Sequence, residues 1–324
     1  MDAAIIIPTF NRCDVLIQTL GNLSKLDYPE SRWELVVVDD GSNDNTEMAV
    51  RTWINCNRLR ARYIRQENSG PAKARNLGVA ATRAEVLVFI DNDILVQPDF
   101  LQKHVEAITK NRGCWIMGRI AFSAKLLETP FGRYRASLTE KFYDLHSSNK
   151  IEETNGITAA NLSLPISDFN RLGAFDEKFT IASSEDWDLG IRAREMGIKV
   201  LYHPGITVVH NDWAVSLEKF CERQMLYSVS DVLLWQKYGR KSPRFELIRQ
   251  NAAINWKEDS LLLATKKIFK YLLATAPARK LVTSVCHIAE RWAPDSVLNY
   301  RLYNLAVGVA IFRGVREGFR RYGN

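Results

Sequence analysis

Cysteine pairing is missing from this sequence. Its five cysteines, Cys13, Cys56, Cys114, Cys221 and Cys286, are scattered along 324 residues, and none belongs to a C-x-x-C pair. That spacing points to neither a disulfide framework nor a zinc site, and it suits a reducing cytosol. Long hydrophobic runs are missing too: none approaches the roughly 20 residues that a membrane-crossing helix needs. Ile5-Ile6-Ile7 is too short for the apolar part of a secretion signal, and Pro8 interrupts it. No G-x-G-x-x-G follows this first apolar run, and no G-x-x-x-x-G-K-[ST] occurs. Those gaps count against a Rossmann cofactor and a P-loop nucleotide.

What remains is the composition of a globular protein, with 46% hydrophobic and 25% charged residues. The length allows one large α/β domain with an appendage, or two domains. The net charge of +7 is unevenly placed. From Val215 onward there are 19 Lys and Arg against 9 Asp and Glu, a balance of +10, which leaves −3 for residues 1–214. The expected division is therefore an acidic ligand-binding domain, 1–214, and a basic helical region, 215–324.

Short apolar runs at 3–7, 34–38, 62–65 and 86–90 read as buried strands. Helices are expected between them: one capped by Asn11 or Asp14 and running to about residue 26, one from Thr46 to near Asn55, and one opened by Pro71. Strand and helix alternate with short links, which predicts a parallel sheet with right-handed crossovers. Further strands are expected at 114–122, 156–164 and 198–202, and helices at 168–172 and 183–196. Residues 124–155 show weak periodicity and read as an irregular lid, with His146 a solvated loop histidine.

The chemistry gathers at strand ends. The run 86–90 stops in Asp91-Asn92-Asp93, two hard carboxylates at the end of a central strand, where open α/β sheets bind ligands. They suit a Mg²⁺ or Mn²⁺ shared with phosphate oxygens, although Asp-x-Asp alone also serves as a turn or helix cap. Asp39-Asp40-Gly41-Ser42 ends the second strand and can accept hydrogen bonds from a base or ribose, or be a polar turn. Lys73 and Arg75 follow in the loop-and-helix 68–78. Glu185-Asp186 opens a helix, where the macrodipole alone would favour acids. His203 and His210 complete the candidates, with His203 the weaker because Pro204 follows it.

Set side by side, these stretches resemble glycosyltransferase family 2, the inverting enzymes of the A-type fold. The pieces arrive in the family's order. They are Ile6-Ile7-Pro8-Thr9-Phe10-Asn11-Arg12, Val37-Val38-Asp39-Asp40-Gly41-Ser42, the run from Gly70 to Gly78, and Phe89-Ile90-Asp91-Asn92-Asp93. Ala159-Ala160-Asn161-Leu162, Gly173-Ala174-Phe175-Asp176-Glu177, Glu185-Asp186-Trp187-Asp188-Leu189 and His210 follow. The resemblance implies an α/β, A-type glycosyltransferase fold: a mostly parallel central sheet flanked by helices, with a helical C-terminal extension. It implies that Thr9, Asp39 or Asp40, and Arg75 hold the nucleotide of a sugar donor. Asp91 would contact ribose or the metal-bound phosphates, Asp93 would ligate Mn²⁺ or Mg²⁺ with His210 near it, and Asp186 would be the general base. The implied function is transfer of a sugar from a nucleoside-diphosphate sugar to a saccharide or lipid-linked acceptor, in surface polysaccharide or glycolipid synthesis. The alternatives are a sugar nucleotidyltransferase, for which the glycine-rich phosphate loop is missing, and an inactive sugar-nucleotide-binding subunit, against which the intact Asp93 and Asp186 stand.

After Trp213 five helices are expected, at 217–238, 245–256, 261–273, 279–292 and 297–319. In the last, Leu298, Leu302, Leu305, Val309 and Phe312 make an apolar stripe flanked by arginines. Such a stripe suits an anionic membrane surface, packing on the catalytic domain, or a homodimer contact. Nucleic acid is a poor match, because no recognised module is present and the ligand-binding half is acidic. The expected location is cytoplasmic, peripheral on the inner face of the membrane.

Overall fold

The computed structural model describes residues 1–57, 59–144, 150–212 and 215–323; His146 lies outside them. The elements are β1 (Ala3–Thr9), α1 (Cys13–Leu23), β2 (Trp33–Asp39), α2 (Thr46–Cys56), β3 (Ala61–Arg65), α3 (Pro71–Ala80), β4 (Val86–Ile90), β5 (Ile94–Leu95), α4 (Phe100–Lys110) and β6 (Cys114–Phe122). Then come α5 (Ala124–Leu127), α6 (Pro130–Asp144), β7 (Glu152–Glu153), β8 (Asn161–Pro165), α7 (Ile166–Leu172), α8 (Ser184–Glu195) and β9 (Lys199–His210). The chain ends in α9 (Leu217–Tyr238), α10 (Phe245–Asn251), α11 (Leu261–Leu273), α12 (Ala276–Trp292) and α13 (Val297–Tyr322).

The chain forms two compact units. The first holds residues 1–123 and 140–212, and contains one sheet in the order β3-β2-β1-β4-β8-β6-β9-β5, with β7 also paired to β9. The half β3-β2-β1-β4 is parallel, β8 runs antiparallel to β4 and β6, and β6 and β9 are parallel again. Both faces of the sheet are covered, which is why its central strands are unbroken apolar runs. Successive residues of β1 serve opposite cores: Ala4 and Ile6 meet α3, α7 and α8, while Ala3, Ile5 and Ile7 meet α1, α2 and α4. Each large aliphatic side chain so buried stabilises the fold by about 1.5–3 kcal/mol. The consequence for function is that β1, β2 and β4 end together, carrying Thr9, Asp39 and Asp91 to one edge.

Several expectations need correction. The strand expected at 156–164 is confined to β8; 156–158 is irregular and 159–160 is a turn leading into it. Neither Asn11 nor Asp14 caps α1; the Asp44 carboxylate accepts the Cys13 N–H at 3.1 Å, and Asn11 accepts from the Asn43 N–H at 2.7 Å. Two helices, 124–127 and 130–144, stand where an irregular lid was expected, and 124–139 belong to the second unit. There Phe131 and Tyr134 pack with Phe220, Cys286 and Tyr303.

The second unit also takes the chain after Asp212. Its axis is the pair α9 and α13. Gly314 and Gly318 let the two backbones close up, since a Cβ on Gly314 would stand 2.1 Å from the Met225 carbonyl. Val309, Phe312 and Val315 of α13 are buried. Of the arginine-flanked stripe on this helix, Val309 and Phe312 are interior, Leu302 and Leu305 are half-buried and Leu298 is exposed.

Candidate active site

Two acidic clusters stand at the carboxyl edge of the sheet in the first unit. The strand ends are tied together first. Asn92 Nδ2 donates to Thr9 Oγ1 at 2.9 Å, and the Asp40 N–H donates to the Thr9 carbonyl at 2.8 Å. Asp39 is wholly buried; its carboxylate accepts from the Ser42 N–H at 2.8 Å and from the Tyr63 hydroxyl at 2.5 Å. Asp40 accepts from Gln66 Nε2 at 2.6 Å and from the Ser69 and Gly70 N–H groups at 2.8 Å each. Gly70 takes φ +95° and lies against Thr180, whose carbonyl oxygen would be 2.4 Å from any Cβ. Only glycine suits that backbone and that approach. Asp40 thus anchors the entry to α3, one turn before Arg75.

Arg75 is the hub of the first cluster. Its guanidinium donates to Glu185 Oε1 and to Asp91 Oδ1, both at 2.9 Å, and lies 3.9 Å from Asp186 Oδ1. The ring of Phe175 packs beneath it, 5.6 Å from the guanidinium carbon. Burial opposes the charge on Arg75, but Asp186, Asp91 and Glu185 outweigh it and hold the group cationic. Sequence reasoning gave Arg75 to a nucleotide; here three carboxylates already surround it.

Glu185 and Asp186 open α8 after Ser183, a non-glycine residue at φ 113°. Strained backbone of this kind persists where the surroundings over-determine it. The two acids are not equivalent. Glu185 is sealed, with 1% of its side chain exposed, whereas Asp186 keeps 13%. Asp186 Oδ2 accepts from the Ala159 N–H at 2.9 Å, while Oδ1 has no hydrogen-bond partner. Burial, and then the neighbouring Glu185, push the Asp186 carboxyl well above the usual carboxylate range, against the pull of Arg75 and the Ala159 N–H. A raised, hydrogen-bond-anchored carboxyl suits proton transfer near neutral pH.

The second cluster is built by β5, two residues that sequence reasoning missed. Ile94 pairs with His210, and the Asn211 N–H donates to the Asp93 carbonyl at 2.7 Å. That pairing sets Asp93, His210 and Asp212 together, with one ligand atom from each within 4.8 Å of the others. Asp93 Oδ2 accepts from Arg12 at 3.0 Å, and Arg12 also lies 3.5 Å from Asp212. His210 Nε2 is 3.6 Å from Asp93 Oδ1, while its Nδ1 faces the Asp212 N–H at 3.3 Å. Asp93 Oδ1 is buried and has no hydrogen-bond partner. Burial first, with Asp91 and Asp212, raises the Asp93 carboxyl; His210 and Arg12 oppose that. Two carboxylates, an imidazole and an orphaned oxygen are a donor set that fits a divalent cation.

The expected site residues Thr9, Asp39, Asp40, Arg75, Asp91, Asp93, Asp186 and His210 all lie in the first unit, at or beside the strand ends. His203 stands inside β9, seven positions before His210. Asp212 and Arg12 were missed. His210-Asn211-Asp212 offered a signal in its spacing, because residues two apart on an extended strand end share a face. Arg12 offered none, since its partners are distant in sequence.

Residues 4–161 match the model of glycosyl transferase family 2. Validoxylamine A glucosyltransferase of Streptomyces hygroscopicus subsp. jinggangensis is 30% identical over 268 residues, covering 74% of this chain and 61% of that protein. The poly(ribitol-phosphate) beta-N-acetylglucosaminyltransferase TarS of Staphylococcus aureus is 31% identical over 102 residues, 32% of this chain and 18% of that one. The chain thus spans less than two thirds of the length of either relative. Among solved structures, the mannosyltransferase PcManGT from Pyrobaculum calidifontis, in complex with GDP-Man and Mn²⁺, gives a TM-score of 0.64 at 20% identity, over 96% of this chain and 86% of that one. Likeness at that identity speaks to fold alone. With the mixed sheet, the acid-ended strands and the family model in agreement, residues 4–161 are a glycosyltransferase family 2 domain of the A-type fold.

Proposed function

We propose that the protein is a metal-dependent inverting glycosyltransferase, which moves a sugar from a nucleoside-diphosphate donor to a hydroxyl of a saccharide or lipid-linked acceptor. One observation carries this reading. A cation-type donor set (Asp93, His210, Asp212) and a carboxyl with a raised pKa (Asp186) are held at the same sheet edge, with Asp91 reaching toward the second through Arg75. The acceptor class is supported by similarity to transferases named for glucosylating validoxylamine A and for adding N-acetylglucosamine to poly(ribitol phosphate).

In this mechanism Thr9 and Asp39 receive the nucleoside. Asp39 is preferred to Asp40 because Asp40 already accepts three hydrogen bonds that shape the loop before α3, whereas Asp39 accepts two. Asp93, His210 and Asp212 would hold Mn²⁺ or Mg²⁺, which neutralises charge on a leaving diphosphate when bound. Asp186 takes the proton of the acceptor hydroxyl as its oxygen attacks the anomeric carbon. The bond from that carbon to the diphosphate breaks, the nucleoside diphosphate leaves, and a single displacement inverts the centre. Arg75 keeps Asp91 in place and supplies the fixed positive charge beside Asp186. This reassigns Arg75 from direct nucleotide contact to positioning.

The reading also has the protein working in the cytoplasm beside an anionic membrane. No helix among the described residues is long and apolar enough to cross one, so its helices would meet the bilayer from the surface. The test of the activity is release of free nucleoside diphosphate from a panel of sugar nucleotides with acceptor present. Release that needs Mn²⁺ or Mg²⁺ and stops with chelator is the expected result; no release from any donor would contradict it.

A further inference from the structure

The second unit turns apolar surface outward. On α11, Leu261, Ile268 and Leu272 fall on one helical face, and on α12 so do Leu281, Val285, Ile288 and Trp292. All seven are exposed, from 38% at Val285 to 85% at Trp292. The packed faces of these helices are others. Ala264 and Lys267 are buried on α11, and Cys286 on α12. The Lys267 ammonium is neutralised by Asp259 at 2.6 Å. Both helices are therefore amphipathic with the apolar stripe toward solvent, the reverse of an ordinary surface helix. Only Ala274 and Thr275 join them, and Trp256 before them is also exposed.

The surroundings are cationic. Lys266, Lys280 and Arg291 are exposed on the same two helices, within the segment whose balance is +10. A cavity of about 620 Å³ adjoins the link between α11 and α12 and is lined by Arg313, Arg316, Arg320 and Arg321 against one acid, Glu317. Arg316 stacks over Tyr271 of α11, 4.8 Å from the ring centre, which joins the cavity to the apolar helices.

We propose that α11 and α12 are a docking face for an anionic lipid bilayer, their stripes entering the boundary between headgroups and acyl chains. Trp256, Trp292 and Tyr271 take the interfacial level that amphipathic rings prefer, and the arginine-lined cavity receives lipid phosphate. Charge selects this occupant. A second copy of the chain would bring the same positive field to a self-complementary contact, whereas an anionic surface attracts each Lys and Arg near it. The inference rests on exposure and charge in the second unit, and holds whether or not the first unit transfers sugar.

The experiment is sedimentation of the full chain with phosphatidylcholine vesicles, with and without phosphatidylglycerol, at low and high salt. The wild type binds the anionic vesicles and loses part of that binding at high salt. The triple variant Ile268→Glu, Ile288→Glu, Trp292→Glu lowers partitioning by at least about tenfold, because buried apolar area is replaced by charge. Arg316→Gln with Arg320→Gln weakens binding to the anionic vesicles alone. Circular dichroism and melting check that the variants fold. Should the triple variant misfold, quenching of wild-type tryptophan fluorescence by brominated lipid, reduced in Trp292→Phe, reads the same contact. Absence of anionic binding, or equal binding by the triple variant, overturns the proposal. So does a lipid-free dimer that the triple variant dissociates, since the face would then be covered by a second copy.

Discussion

The two acidic clusters of the first unit solve the same electrostatic problem differently. Around Asp91, Glu185 and Asp186 the compensating charge is Arg75, a buried and permanent cation fixed by two 2.9 Å hydrogen bonds. Around Asp93, His210 and Asp212 it is Arg12, whose side chain is 34% exposed and which reaches only one oxygen of Asp93. The other Asp93 oxygen is buried with no hydrogen-bond partner, and His210 Nε2 lies 3.6 Å from it. Burying a carboxylate without full compensation is costly, and both clusters carry such oxygens, since Glu185 Oε2 and Asp186 Oδ1 are also buried without a hydrogen-bond partner. What separates the clusters is the cation beside them. A buried, doubly bonded arginine is suited to hold a base in place, and a partly exposed arginine beside an imidazole is suited to give way to a metal.

Predictions that break this comparison can be ranked by size. The largest effect is expected from Arg75→Ala, which strips three acids of the buried cation they share. Removing one partner of a buried ion network typically costs about 3–5 kcal/mol, so urea unfolding should show a loss of that order at neutral pH. The loss should shrink in acid, where the carboxylates gain protons. An Arg75→Ala protein as stable as wild type would remove the distinction between the clusters. Next comes Asp186→Asn, which keeps shape but not basicity. Transfer should fall by about 10²–10⁴-fold, with the donor dissociation constant little changed, while Glu185→Gln acts more mildly. A dead Glu185→Gln beside an active Asp186→Asn would move the base by one residue.

The raised pKa of Asp186 has two opposite signatures. As a base it must be ionised, so transfer should rise with pH through a midpoint above the ordinary carboxylate range. Its stability contribution has the other sign. A carboxyl raised on folding favours the folded state below its unfolded pKa, and that benefit is lost as pH rises through the folded value. Melts across this window should therefore decline as activity climbs, and Asp186→Asn should flatten that part of the decline. Smaller effects belong to the rest of the second cluster. Asp212→Asn should weaken Mn²⁺ binding by at least about 10-fold, since the loss of even an outer partner of a metal ligand costs that much. Arg12→Gln should strengthen it a few-fold, because a competing cation is gone; weaker binding would make Arg12 part of the cation site instead.

The comparison also shows what the sequence could tell. The central strands were legible because burial on both faces makes them continuous apolar runs, and their acid-ended turns were legible as a set. Asp93 was singled out that way, whereas Asp186 opens a helix and was singled out only through the family resemblance. β5 was not, because two residues carry no periodicity and the strand exists only through its pairing with β9. Arg12 was invisible for the same reason: it meets Asp93 across 81 positions. In the second unit, periodicity announced apolar faces without saying which would be buried. On α13 the stripe passes from exposed Leu298 to buried Val309 and Phe312, while the stripes of α11 and α12 face outward. The aromatics of 124–139 looked irregular because their packing partners, Phe220 and Tyr303, lie far along the chain.

The central claim is that Asp93, with its unpartnered oxygen, anchors the exchangeable cation. Titration of Mn²⁺ into wild type and Asp93→Asn, followed by calorimetry or by the electron paramagnetic resonance of free Mn²⁺, tests it without relying on turnover. The account predicts one site in the wild type and a loss of more than about 100-fold in Asp93→Asn, beyond the effect of a supporting partner, with the fold intact by circular dichroism. Equal Mn²⁺ affinity in the two proteins would contradict it.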